Sequence, residues 1–136
     1  LRCRPVLQAL YHIGAREYGI TALCENIVWY SDITYIALSI KNDSGVSYDI
    51  KDATFVLESK KRSKRRVVIE KTIFPEGRHG SLNCPVGQKA KMAYSFKKIT
   101  LSKDQVLKVY LYEHGGQRNL EMTIDTNDIN KAERSL

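Results

Sequence analysis

The sequence is poor in the residues that build disulfide frameworks, metal sites and membrane spans. It has three cysteines, Cys3, Cys24 and Cys84, and they form neither a CxxC pair nor a spacing typical of zinc sites. The odd number argues against a complete disulfide framework, whereas a single Cys24–Cys84 bridge stays open in an oxidising compartment. No stretch approaches the roughly 18 apolar residues that span a bilayer. We therefore predict no transmembrane segment in this chain.

Motifs of catalysis and cofactor binding are also missing. The three histidines, His12, His79 and His114, are scattered, and no carboxylate or cysteine follows them at the spacing of metal ligands. Nothing resembles HExxH, GxSxG, a P-loop or GxGxxG. The sequence predicts a protein that is not an enzyme, with no cofactor and no metal.

Basic residues outnumber acidic ones, 22 to 15, which gives a formal net charge of +7 over 136 residues. This charge permits contact with nucleic acid, an acidic protein or anionic lipid, and it does not choose among them. Six bases lie between two predicted strands, where we expect a hairpin tip: Lys60, Lys61, Arg62, Lys64, Arg65 and Arg66. Such a segment can hold phosphates, guide an acidic partner or simply be a solvated turn.

From Tyr18 to Ile124 the apolar residues recur with a period of two, which is typical of strands that bury one face. The clearest case is Ala90, Met92, Tyr94 and Phe96, which we predict to be core. A strong turn signal lies at Asn42–Gly45, and a change of parity predicts a bulge near Lys51 and Asp52. About seven strands follow one another without a helix between them. The sequence therefore predicts an all-β fold, an antiparallel two-sheet β-sandwich of immunoglobulin-like size.

Short helices are predicted at both ends of the chain. Residues 4–13 place Val6, Leu10 and Ile13 on one helical face, and Gly14 is a plausible terminator. A second helix is expected from about Thr126 to Glu133, capped by Asp125 or Thr126. We thus divide the chain into an N-terminal helical segment, residues 1–15, and a sandwich domain, residues 16–136. Because the sequence begins with Leu1, we expect a fragment or a processed product, whose first residues are the remnant of an upstream region.

Aromatic residues supply the candidate partner-binding side chains. Tyr110 and Tyr112 have the opposite parity to Leu107, Val109 and Leu111, which predicts that they lie on an outer face, joined by Tyr35. Exposed tyrosines anchor protein partners, although they also form ordinary cross-strand pairs. The neighbouring Trp29 and Tyr30 leave a carbohydrate-binding sandwich open as a weaker alternative.

The order of several segments carries a family resemblance. Residues 33–52 read ITYIALSIKNDSGVSYDIKD, and the basic hairpin, the Ile73-Phe74-Pro75 step and the turn Glu113-His114-Gly115-Gly116 follow downstream. In order and spacing these segments resemble the C-terminal domain of the TraN family of Bacteroides-type conjugative transposons. The resemblance covers roughly residues 12–133 and rests on the combination of the segments rather than on one motif.

The resemblance implies a non-enzymatic structural subunit of a conjugative transfer (type IV secretion) apparatus. It implies a periplasmic location, associated with the outer membrane, and partners among the other channel proteins, including a lipoprotein or outer-membrane core subunits. A homo-oligomer within the full assembly is compatible with this role. The alternative is a nucleic-acid-binding sandwich that uses the basic hairpin Lys60–Arg66, which lacks the interleaved aromatics of many nucleic-acid readers.

Overall fold

The computed structural model describes residues 10–60, 68–130 and 133–134, and in these ranges the chain forms eleven strands and one short helix. The elements, in chain order, are β1 (Leu10–Glu17), β2 (Ile20–Tyr30), β3 (Ile33–Asn42), β4 (Tyr48–Lys60), β5 (Val68–Ile73), β6 (Gly77–Gly80), β7 (Asn83–Cys84), β8 (Lys89–Lys97), β9 (Gln105–Glu113), β10 (Leu120–Asp125), α1 (Thr126–Asn130) and β11 (Glu133–Arg134).

The strands form two sheets that pack face to face. The first sheet has the order β1-β2-β3-β8-β6, and the second has the order β10-β9-β4-β5, with β7 beside the start of β4. The predicted antiparallel two-sheet sandwich is confirmed. The structure has more strands than the predicted seven, because β1 and the short strands β6, β7 and β11 join the expected set. Among the described pairs, β11 on β2 is parallel, which the prediction did not include.

The predicted N-terminal helix is wrong where the structure describes it. Residues from Leu10 onward form β1, which returns to β2 through the two-residue turn Tyr18–Gly19, with φ of 60° and 75°. Gly14, which we predicted as a helix terminator, instead admits the close approach of β2: a Cβ there would lie 2.8 Å from the carbonyl oxygen of Ala22. Residues 10–15 therefore belong to the sandwich, and residues 1–9 lie outside the described ranges.

Aromatic side chains fill the centre of the space between the sheets. Phe55 is fully buried on β4, and its ring meets those of Tyr94 and Phe96 edge-on, with centroids 5.1 and 4.7 Å away. These rings come from opposite sheets, because β4 belongs to the second and β8 to the first. The predicted alternation on β8 is confirmed: Ala90, Met92, Tyr94 and Phe96 are all buried.

Two further local predictions are confirmed. The β4–β9 register shifts between Ile50 and Asp52, where a change of parity predicted a bulge. At the start of α1, Asp125 is the cap, because its Oδ1 accepts a hydrogen bond from the Asp128 amide at 2.9 Å. In turn, Asp128 Oδ2 accepts a hydrogen bond from the Asp125 amide at 3.0 Å. The helix ends at Asn130, earlier than predicted, and Glu133 lies in β11.

Arg118, in the β9–β10 loop, contacts the segment in which the chain crosses from the first sheet to the second. Its Nη2 lies 2.6 Å from Glu113 Oε2 and donates to the carbonyl oxygen of Ser47, while Nη1 donates to Ser44 Oγ at 3.1 Å. The guanidinium also covers the ring of Tyr48, whose hydroxyl donates to the Arg118 carbonyl oxygen at 2.8 Å. Because residues 43–47 connect β3 to β4, this network ties the β9–β10 loop to the crossover between the sheets.

Replacing Phe55 by Ala should destabilise the domain strongly, because it removes the ring that joins the two sheets. We expect a loss of about 4 kcal/mol in the free energy of unfolding, measured by urea titration at neutral pH. The matched control is Phe74→Ala, since Phe74 is 78% exposed and its truncation should change stability by less than about 0.5 kcal/mol. Equal losses in the two variants would contradict this account of the core.

The Glu113–Arg118 pair should make stability depend on pH in the acid range. Hydrogen bonds from Arg118 hold the pKa of Glu113 below its ordinary value of 4.5, so the carboxylate stabilises the fold above that value. This contribution, about 1 kcal/mol, is lost as the pH falls from 4.5 through the lower folded-state pKa. Urea titrations should show a shallower fall over this range for Glu113→Gln than for the native chain. Parallel curves would show that the pair contributes nothing.

Candidate partner-binding surfaces

Two tyrosines of β9 lie on the outer face of the second sheet, as their parity predicted. The rings of Tyr110 and Tyr112 stack with centroids 6.2 Å apart and an interplanar angle of 19°. Tyr112 is 39% exposed, and Tyr110 is half-buried between Thr54 on β4 and Glu121 on β10. We call this surface the tyrosine face and define it by six residues: Glu58, Glu70, Lys108, Tyr110, Tyr112 and Glu121.

Carboxylates surround the hydroxyl of Tyr110. The hydroxyl group donates a hydrogen bond to Glu58 Oε2, and the two oxygens are 3.4 Å apart. Burial raises the pKa of Tyr110 to about 12, and the negative charges of Glu121, Glu58 and Glu70 add to the effect. Lys108 is the one base among the six residues of the tyrosine face, and it is paired with Glu121 at 2.7 Å. The tyrosine face is therefore negative on a chain whose net charge is +7.

Tyr35 does not join the other two tyrosines, and this part of the prediction is wrong. Its cross-strand neighbours are Val28 on β2 and Ser95 on β8, so it is half-buried on the outer face of the first sheet. The outer faces of two stacked sheets point in opposite directions. Sequence parity identified each residue as outward-facing, but it could not say from which sheet.

The outer face of the first sheet carries basic side chains. Arg16, Lys41 and Lys89 come from β1, β3 and β8 and lie in one row across the sheet, with Thr21 between the first two. Lys91 follows in the next row, opposite Ser39, whose hydroxyl donates to Glu25 Oε2 at 2.7 Å. We call the four residues Arg16, Lys41, Lys89 and Lys91 the lysine face.

A shallow depression of about 290 Å³ lies beside Lys91 on this face. Its floor is formed by small or backbone groups, including Ala37 and Ala93, and its rim includes Glu25, His79 and Lys91. The depression exists because alanines occupy two neighbouring strand positions, where the flanking side chains are longer. The lysine face is therefore not flat.

An open groove lies along the edge strand β5, and our reading of the sequence missed it. The groove, about 450 Å³, runs between β5 and the end of β8. It is lined by the apolar residues Ile73, Phe74, Phe96 and Ile99 and by the charged residues Lys71, Glu76, Lys97 and Lys98. Phe74 is 78% exposed and Ile69 is 50% exposed. Within the described ranges β5 pairs with β4 alone, so its other edge presents backbone donors and acceptors. An aromatic residue directly before Pro75, at the end of a strand, was the available signal.

The predicted basic hairpin cannot be placed as a site. Lys60 is the last residue of β4, and its side chain is outside the described part of the chain. Five further members of the segment also lie outside it: Lys61, Arg62, Lys64, Arg65 and Arg66. Their role stays a prediction.

Cys24 and Cys84 are both buried, and no disulfide joins them. Burial raises the pKa of Cys24 to about 12, and it also raises the pKa of Cys84, so both are protonated thiols at neutral pH. Cys24 is a small residue of the core on β2, and Cys84 lies in β7. Cys3 is outside the described residues.

Trp29 and Tyr30 do not form a shared aromatic platform. Trp29 is partly buried and packs against the core, whereas Tyr30 is 51% exposed. Successive residues of a strand point to opposite faces of the sheet, which separates the two rings. The carbohydrate-binding alternative rested on a shared aromatic surface of Trp29 and Tyr30, and the two side chains do not form one.

The described ranges hold neither a candidate metal site nor a candidate membrane-spanning helix. No group of three or more His, Cys, Asp or Glu side chains there is placed to hold a metal ion. No helix in the same ranges is long and apolar enough to cross a membrane.

Comparison with known proteins identifies a family. The model of the family described as "Domain of unknown function (DUF4138)" matches residues 7–134, so the chain belongs to that family. No curated protein matches the sequence significantly. A solved structure, the sporulation control protein Spo0M from Bacillus subtilis, is similar over 82% of this chain, with 13% sequence identity and a TM-score of 0.48. The chain spans about half of that structure, 49% of its length.

Proposed function

We propose that this DUF4138 chain is a non-enzymatic assembly subunit of a conjugative transfer (type IV secretion) apparatus. Its work is to bind other channel subunits in the periplasm, at the outer membrane. Support comes from the resemblance of its ordered segments to the C-terminal domain of the TraN family. The observation that carries the binding role is the open edge of β5, with Phe74 exposed beside it.

The edge of β5 suits the addition of a partner strand. Backbone groups on that edge can continue the ladder of the second sheet, which is the general mechanism of strand addition. The groove between β5 and β8 then receives side chains of the added strand, because half-buried Ile73 and exposed Phe74 form an apolar part of its lining beside charged residues such as Lys97 and Lys98.

Phe74 supplies the anchor for that contact. An aromatic side chain that is 78% exposed leaves most of its surface in water, and burying such a ring contributes about 2 kcal/mol. Ile69, at the other end of β5, is a second exposed apolar residue of this edge, separated from Phe74 by the polar residues 70–72. A partner that covers both residues would also protect the edge from unwanted pairing with other chains.

Replacing Phe74 by Asp should break the proposed contact without unfolding the domain. We expect the tagged full-length protein with Phe74→Asp to co-purify from the envelope with much less of the channel lipoprotein and outer-membrane core subunits than the native protein does. The reduction should be about tenfold or more. The loss follows from placing a charge where the partner must be apolar. Quantitative immunoblotting of the co-purified subunits, together with urea titration of the domain, measures both effects.

The matched control for this experiment is Val86→Asp, which introduces the same charge at a residue 50% exposed in a loop away from β5. The Val86→Asp variant should co-purify with the same channel subunits as the native protein. Recovery of the native protein as a lone cytoplasmic monomer would count against the assembly role. Normal co-purification of the Phe74 variant would count against the β5 edge as the contact.

Nucleic-acid binding through the basic segment Lys60–Arg66 is the alternative, and the six bases of that segment and the net charge of +7 favour it. Neutralising the six bases of Lys60–Arg66 should then abolish salt-sensitive binding of single-stranded DNA, measured by fluorescence anisotropy at 50 and 200 mM salt. The carboxylates around Tyr110 oppose this function, because they repel phosphates from the exposed tyrosines. Absence of DNA binding by the native domain at low salt would remove the alternative.

A further inference from the structure

The two outer faces of the sandwich carry charge of opposite sign. On the first sheet the lysine face presents Arg16, Lys89 and Lys91, together with Lys41, which is paired with Asp43 at 2.8 Å. On the second sheet Glu58, Glu70 and Glu121 surround Tyr110. We infer that the tyrosine face of one chain binds the lysine face of a second copy. This contact goes beyond the proposed function, because it joins identical chains and needs no other subunit.

The side chains of the two faces are chemically matched. Glu70 and Glu121 lie on the edge strands β5 and β10 and are exposed, so they can approach ammonium groups of a second copy. Between them, the stacked rings of Tyr110 and Tyr112 offer aromatic faces, on which a lysine head is stabilised by about 0.5–1 kcal/mol at an exposed site. Lysine stems can also cover the ring of Tyr112, which is 39% exposed.

The geometry determines how copies can associate. Because the two faces lie on opposite sides of one sandwich, the contact uses different surfaces on the two partners, and each bound copy leaves one face available. Such a contact repeats, closing into a ring or continuing as an open array according to the rotation between copies.

The size of the faces predicts a weak individual contact. Four strands about 4.8 Å apart and about seven residues long present a plane of roughly 400 Å². Stable interfaces bury about 800 Å² on each partner. Association of isolated chains should therefore be weak and sensitive to salt, and it should strengthen where other contacts hold several copies together.

Reversing one charge on either face should weaken self-association, and mixing the two variants should restore it. Lys91→Glu places an acid among the three remaining bases of the lysine face, and Glu70→Lys places a base among the acids of the tyrosine face. Each variant alone should self-associate at least about tenfold more weakly than the native chain in sedimentation-velocity runs at 20 mM salt. An equimolar mixture should associate, because the native acidic face of the first variant meets the native lysine face of the second.

Matched controls separate this contact from an effect of net charge. Lys103→Glu and Asp32→Lys change the net charge by the same amounts at exposed positions in turns, away from both faces. Both controls should associate like the native chain. Circular dichroism of every variant verifies that the sandwich is folded.

Several results would overturn the inference. A native chain that stays monomeric at millimolar concentration and low salt excludes the contact. If the control variants self-associate as weakly as the face variants, the effect comes from net charge. If both face variants still self-associate like the native chain, the contact uses another surface, such as the β5 edge. If neutralising Lys60–Arg66 abolishes self-association and Lys91→Glu has no effect, the tyrosine face binds that basic segment of the second copy instead of its lysine face. None of these results bears on co-purification with channel subunits, so the two proposals fail independently.

Discussion

The burial of one side-chain face of each long strand between the two sheets is the constraint on which the rest of the molecule depends. Phe55 from one sheet, wedged against Tyr94 and Phe96 from the other, marks the centre of that contact. Since side chains alternate along a strand, burial of the inner set determines which residues are left on the outside. The tyrosine and lysine faces are consequences of the same packing that stabilises the fold.

Charge is distributed by face rather than evenly over the surface. The formal charge of +7 describes the whole chain, yet the neighbours of Tyr110 are carboxylates, and they contribute to raising its pKa. Electrostatic attraction acts over about 8 Å at physiological salt, so a partner responds to the face it approaches rather than to the total. This separation is why an acidic, aromatic surface and a basic surface can serve different contacts on one small domain.

Local patterns predicted the elements whose cause is local. The alternation along β8, the turn after Asn42, the bulge between Ile50 and Asp52 and the cap at Asp125 each depend on residues adjacent in the chain. The predicted N-terminal helix was wrong because the register of β1 on β2 shifts between Leu10 and Gly14, so the spacing of Leu10 and Ile13 matched a helix rather than a regular strand. Tertiary packing decided between them: Ile13 is 2% exposed in the core, and Gly14 admits β2 at a distance that another residue would prevent.

The sequence by itself determined which side chains of a strand point the same way, and therefore that Tyr110 and Tyr112 share an outer face. It also determined the all-β architecture, because period-two burial requires a second sheet to cover it. Only the tertiary structure decided that Tyr35 lies on the opposite side, that β3 pairs with β8, and that β5 has an open edge beside Phe74. The physical reason is that strand pairing joins residues such as Ile36 and Tyr94, which are distant in the chain, and the choice among pairings depends on how well the whole core packs.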